Sequence, residues 1–136
     1  MRKNIIQKIV VAAVVLYKDK ILLLQRSAKE KIYPGLWELP SGKRENLESS
    51  IEAVKREVRE ETGLNIEIVR PLNIFEYLME KDDLIKDTTQ INFLAKVKGK
   101  YKVKISKEHD NFAWVEKKEL SKYKISKEIK NTILKI

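Results

Sequence analysis

Three glutamates, Glu57, Glu60 and Glu61, fall close together in the stretch GKRENLESSIEAVKREVREETGL, residues 42 to 64. On a helix that advances roughly 100° per residue they share an arc of about 100°, beside an apolar stripe of Ile51, Val54 and Val58. The acids therefore border the buried side. Ala53 is the fourth occupant of that arc, and its small side chain leaves room for a ligand. On a solvated face neighbouring glutamates repel by only a few tenths of a kcal/mol, roughly. At a cavity edge each charge is partly desolvated and calls for a cation or a proton. Three close carboxylates then form a hard oxygen cage suited to Mg2+ or Mn2+. The other reading is an exposed helix laced by ion pairs, with Glu52–Arg56 and Lys55–Glu60 as candidates. That set is incomplete, because Lys55 and Arg59 lie away from the arc of Glu57 and Glu61. Spacing alone leaves both readings open.

The elements that must position these acids are marked in the chain. Ser49, with Glu52 three residues on, makes a capping box, Gly63 is a left-handed stop, and no proline intervenes, so a helix is expected from about Ser50 to Thr62. Upstream, the apolar runs Ile9–Tyr17 and Ile21–Leu24 read as two strands, buried on both faces, around the turn Lys18-Asp19-Lys20. A loop, Ser27 to Gly35, leads through Tyr33-Pro34-Gly35 into Leu36-Trp37-Glu38-Leu39-Pro40. Downstream, Ile66–Met79 and Thr88–Val97 read as a long hairpin around Lys81-Asp82-Asp83, and Phe112–Val115 as a short strand. Ser126–Leu134 has an amphipathic helical spacing. Strands before, between and after two helices predict an α/β (α+β) class, a mixed β-sheet sandwiched between helices, in a single domain over residues 1–136.

With 136 residues and 43% hydrophobic content the chain can build one core. The net charge of +9, from 29 Lys+Arg against 20 Asp+Glu, favours polyanionic partners. The absence of cysteine excludes thiolate chemistry and Cys-based zinc sites and is compatible with a reducing, cytoplasmic setting. The first apolar run is too short to span a bilayer, so no membrane association is expected. One histidine, His109, cannot furnish a His-based zinc site or a Ser-His-Asp triad; it reads as a loop residue with no catalytic duty. Trp37, Phe75, Tyr77 and Trp114 could stack on a base, but aromatic residues in strands are more often core, and Trp114 is expected there.

Gly42, five residues, Glu48, seven residues, then Arg56-Glu57-Val58-Arg59-Glu60-Glu61-Thr62-Gly63-Leu64 resembles the signature of the Nudix hydrolases at every specified position. The lead-in Leu36-Trp37-Glu38-Leu39-Pro40-Ser41-Gly42 is also similar, with Ser41 where glycine is commoner; serine would add modest strain if the backbone there favoured glycine. The resemblance implies the Nudix fold and a catalytic set of Glu57, Glu60, Arg56 and Glu108. It implies that Glu57, Glu60 and Glu61 hold divalent metal, Mg2+ with Mn2+ as substitute, joined by the Ser41 carbonyl and by Glu108 from the Lys107-Glu108-His109 loop. Arg56 would orient a neighbouring glutamate. Glu48 would support the loop and helix start, where an acid also suits the positive helix end. Arg26, Gly42 and Glu48 would lie on the substrate side, Arg26 reaching phosphates. Glu57 or Glu60 is favoured over Glu108 as general base.

The implied reaction is hydrolysis of a pyrophosphate bond in a nucleoside diphosphate-linked compound. The short chain and PGLWELPSG resemble the MutT-like branch, which acts on nucleoside triphosphates, oxidised ones included, giving monophosphate and pyrophosphate. ADP-ribose, another nucleotide sugar or a dinucleotide is the alternative substrate. A basic nucleic-acid-binding module without catalysis is a rival of another class, disfavoured by scattered lysines and the lack of an aromatic-rich RNA motif. A purely structural protein is a third. Expected partners are a small nucleotide substrate and no membrane, in a monomer or homodimer.

Overall fold

A computed structural model describes residues 3–136. The first apolar run lies within a 14-residue strand, β1 (Asn4–Tyr17), in which every residue from Val11 to Val15 is fully buried. Such a strand needs cover on both faces. Its turn into β2 (Lys20–Arg26) passes through Lys18 and Asp19 with φ of 48° and 64°, the paired left-handed residues that match the twist of a two-residue hairpin. The chain continues through β3 (Trp37–Glu38), β4 (Ser41–Lys43), α1 (Ser50–Thr62), β5 (Ile66–Lys81), β6 (Leu84–Val97) and β7 (His109–Val115). A 3-10 helix, Lys117–Lys122, and α2 (Lys127–Ile133) complete it.

All seven strands join one sheet, ordered β3-β2-β1-β6-β5, with β4 on β1 and β7 on β2. The sheet is mixed: β1 runs parallel to β6 from Asn4–Leu84 to Leu16–Lys96, and antiparallel to β2 and β4. Alternate β1 residues feed two cores. Val11, Ala13 and Val15 pack with Val54 and Val58 of α1, while Ala12 and Val14 pack with Leu120 and Ile133 on the opposite face. Burial of the two α1 valines, about 1.5–3 kcal/mol each, pins the helix and with it the carboxylates along its border. The expected mixed sheet between helices is what forms. Trp114 packs against the α1-side core, as expected. No described helix is long and apolar enough to cross a membrane.

The edge of β1 is shared. β2 pairs with it only at Leu16–Ile21 and Tyr17–Lys20, whereas β4 takes Val10 to Ala12. The sheet therefore forks. One branch, β2 with β3 and β7, carries Arg26, Glu38 and His109; the other, β4, carries Ser41 and Gly42. The acids of α1 face both branches.

Candidate active site

The helix that bears the acids starts where its cap requires. The Ser49 hydroxyl accepts the Glu52 N–H at 3.1 Å, and Gly63 closes the helix at φ 75° with its N–H on the Arg59 carbonyl. Glu57 lies directly on β4. A Cβ built on Gly42 would overlap the Glu57 carboxylate, so glycine is required there for close approach rather than for backbone conformation.

Arg56 ties the acids together. Its Nε and Nη2 donate to the two oxygens of Glu48 at 2.7 and 2.9 Å, its Nη1 donates to Glu57 Oε1 at 2.8 Å and to Glu60 Oε2 at 3.3 Å, and Nη2 also reaches the Lys43 carbonyl at 3.0 Å. The planar fork suits this set of acceptors in a way an ammonium does not. Arg56 thus pairs with Glu48, Glu57 and Glu60 rather than with Glu52, the candidate partner of the exposed-helix reading. The Arg56 bonds, with a further hydrogen bond from the Glu45 N–H, hold the Glu48 carboxyl down at about 2. Burial raises the Glu57 carboxyl, against the pull of Arg56. Glu60 is open, its side chain 59% exposed.

Glu61 bridges the fork. Its side chain is 6% exposed, and Oε1 accepts the Ser41 N–H at 2.8 Å. Burial pushes this carboxyl up to about 9; the Ser41 hydrogen bond opposes the rise and the charges of Glu108 and Glu38 add to it. The Glu61 carbonyl accepts the Ser106 N–H at 3.2 Å, and the Glu108 carbonyl accepts the Ser27 N–H at 3.0 Å, so the segment before β7 is fixed against both α1 and β2. Ligand atoms of Glu61, Glu108 and His109 lie within 4.8 Å of one another.

His109 is not a loop residue. It opens β7 opposite Arg26, and its side chain is 1% exposed. Its Nε2 stands 2.9 Å from Glu38 Oε2, and Glu38 in turn receives Arg26 Nη1 at 3.4 Å. Arg26 also donates through Nε to the Ile32 carbonyl at 2.9 Å and lies 3.6 Å from Glu30. The expected site residues thus fall into two groups. Glu48, Arg56, Glu57 and Glu60 gather around the guanidinium against Gly42; Glu61 and Glu108 gather with His109, with Ser41 beside Glu61 and Arg26 behind Glu38. The backbone at Ser41 does not favour glycine, so serine adds no strain there: among the described residues, the non-glycine positions with positive φ are Lys18, Asp19, Tyr33, Leu47 and Asp82. Glu38 and His109 were not expected at the site. The sequence signals were the acid inside the lead-in and a lone histidine directly after Glu108.

The donor set fits a hard divalent ion: several carboxylates, one buried without an ion-pairing partner closer than 3.9 Å, and a buried ring nitrogen, His109 Nδ1, with no hydrogen-bond partner.

A family model described as NUDIX domain matches residues 7–135. The nucleoside triphosphatase NudI of Klebsiella pneumoniae (strain 342) is 27% identical over 129 residues, 88% of this chain and 89% of its own. The 8-oxo-dGDP phosphatase NUDT18 of Homo sapiens is 34% identical over 110 residues, which is 81% of this chain and 31% of that protein. Alignments to the NUDT18 proteins of Danio rerio and Homo sapiens span only 22% and 31% of those relatives' length. The crystal structure of the MutT protein from Methanosarcina mazei Go1 superimposes with a TM-score of 0.77 at 30% identity, covering 94% of this chain and 91% of that one. With the signature residues gathered at one fork of the sheet and the family model spanning nearly all of it, the chain belongs to the NUDIX domain family.

Proposed function

We propose that this chain hydrolyses a pyrophosphate bond of a nucleoside triphosphate, oxidised forms included, to the monophosphate and pyrophosphate, with Mg2+ as cofactor and Mn2+ able to replace it. The observation that carries the reading is the seating of Glu57 on Gly42 under the Arg56 fork, with Glu61 held to the Ser41 amide beside it. Glu57, Glu60, Glu61 and Glu108, with the Ser41 carbonyl, would hold the ion. Bound there, it supplies neutralisation of the anhydride oxygens and acidification of water.

The remaining work belongs to the chain. Glu48 locks the guanidinium of Arg56, and Arg56 aims Glu57. Burial raises the Glu57 carboxyl, against the pull of Arg56, which makes it a better proton acceptor than a free glutamate. Water attacks one phosphorus, the new P–O bond forms as the bridging P–O bond breaks, and the water proton passes to Glu57. Arg26, tied to Glu38 and Ile32 at the end of β2, sits on the branch opposite β4, from which a guanidinium can reach phosphate oxygens. The relatives NudI and NUDT18, a nucleoside triphosphatase and an 8-oxo-dGDP phosphatase by name, support a nucleotide substrate.

The test is a panel of nucleoside triphosphates, 8-oxo forms, ADP-ribose and a dinucleotide with Mg2+, read as monophosphate and pyrophosphate released. Glu60→Gln should reduce turnover roughly a hundredfold and leave the fold intact, since the side chain is 59% exposed. Absence of release from every compound, or full activity in Glu60→Gln, would refute the proposal.

A further inference from the structure

His109 is the only histidine in the chain. Its Nε2 meets Glu38 Oε2 at 2.9 Å. A carboxylate oxygen accepts, so Nε2 carries a hydrogen in that bond and, in the neutral ring, Nδ1 presents a lone pair. Arg26 Nη1 also donates to Glu38, at 3.4 Å to each carboxylate oxygen, which holds the carboxylate that meets the ring. Nδ1 is buried without a hydrogen-bond partner and faces Glu61 Oε2 at 3.9 Å. An acceptor kept in that condition is rare in a folded protein. The 3.9 Å separation is too long for a hydrogen bond. It is shorter than about 4.2 Å, the widest spacing of two ligands that each stand about 2.1 Å from one ion. Glu108, next in sequence and exposed, brings a carboxylate oxygen to the same place.

We infer that His109 Nδ1 is a nitrogen ligand of a divalent ion shared with Glu61 and Glu108, and that Glu38 and Arg26 are positioning residues that set the tautomer and orientation of the ring. The inference rests on the reading of the site as a divalent-metal centre. An acid that accepts the distal N–H of a liganding imidazole is the usual support of such a nitrogen. One imidazole among carboxylates changes the metal preference: nitrogen suits Mn2+, Co2+ and Ni2+ better than Mg2+, which prefers oxygen donors throughout. The chain therefore binds Mn2+ more tightly than Mg2+, and His109→Gln narrows that difference roughly tenfold.

A single histidine makes the test specific. The full chain, prepared without an affinity tag and freed of metal, is loaded with Mn2+ and examined by pulsed electron paramagnetic resonance. A directly bound imidazole gives 14N modulation, and growth on 15N-histidine converts the pattern to that of 15N without any change of sequence. His109→Gln abolishes the modulation while Mn2+ still binds through the carboxylates. Bound Mn2+ with no nitrogen coupling in the unaltered chain would overturn the inference and leave the metal centre standing. Failure of Mn2+ to bind at all would overturn both.

Discussion

Gly42→Ala is the smallest change that should separate the site from the fold. Gly42 does not have a left-handed φ, so alanine meets no backbone penalty. Its methyl would occupy the space of the Glu57 carboxylate. The obstructing atoms are the far end of a flexible side chain, so the collision is relieved by swinging Glu57 outward. That motion breaks the 2.8 Å bond from Arg56. The freed carboxylate is solvated by water, and the net cost in stability is about 1 kcal/mol. The site suffers more, since displacing a reacting group by about 1 Å costs on the order of a hundredfold in rate, or about 2.7 kcal/mol. Urea unfolding, Mn2+ titration calorimetry and nucleotide turnover on the same protein give the comparison. The expected result is near-native unfolding, Mn2+ affinity reduced roughly tenfold and turnover reduced about a hundredfold. Turnover and Mn2+ affinity within twofold of the parent would show that the seat of Glu57 on Gly42 does not matter to the site.

Other changes probe the supports. Arg56→Lys keeps the charge but cannot serve Glu48, Glu57, Glu60 and the Lys43 carbonyl together; a loss of about 1–3 kcal/mol in urea unfolding and a rate loss of roughly a hundredfold are expected. Glu61 makes the metal-free protein sensitive to pH. With its carboxyl raised to about 9 from 4.5, the folded chain holds a proton that the unfolded chain releases, so stability falls as pH rises through that window. The slope reaches at most about 1.4 kcal/mol per pH unit; Glu61→Gln flattens it, and Mn2+ stabilisation measured by thermal shift grows with pH. Gly63→Ala must hold alanine at φ 75°, where its Cβ meets only Lys104 Cβ at an ordinary 3.8 Å; unfolding should reveal a loss of about 1 kcal/mol, with turnover per folded molecule unchanged.

Local chemistry made α1 legible from Ser50 to Thr62, because its cap, its stop and its apolar spacing all lie inside the segment. The acids on its border were legible for the same reason. Strand ends were not. β1 begins at Asn4 and β6 at Leu84, ahead of their apolar runs, because these ends pair with each other along a parallel ladder beyond the core. That pairing joins residues about 80 positions apart, and nothing in either segment announces it. β3 and β4 are two and three residues long, too short for any periodicity, yet they carry Glu38, Ser41 and Gly42. The burial of His109 followed from the same blindness: β7 starts three residues before the apolar run at Phe112, where the ladder with β2 shifts between Gln25 and Arg26. A polar segment in the sequence thus became a buried strand end in the fold. Gly42 was visible as a motif position, whereas its reason, the carboxylate lying against it, required the two elements to be brought together.

In the proposed site the carboxylates of α1 and of the loop before β7 gather divalent ions against β4, and anomalous diffraction from crystals soaked in Mn2+ locates such ions. Strong peaks between Glu57, Glu61 and the Ser41 backbone, with the Glu57 and Glu61 carboxylates turned toward them, are the predicted result. Mn2+ bound only at sites away from Glu57, Glu60, Glu61 and Glu108, with no peak within coordination distance of any of the four carboxylates, would contradict it.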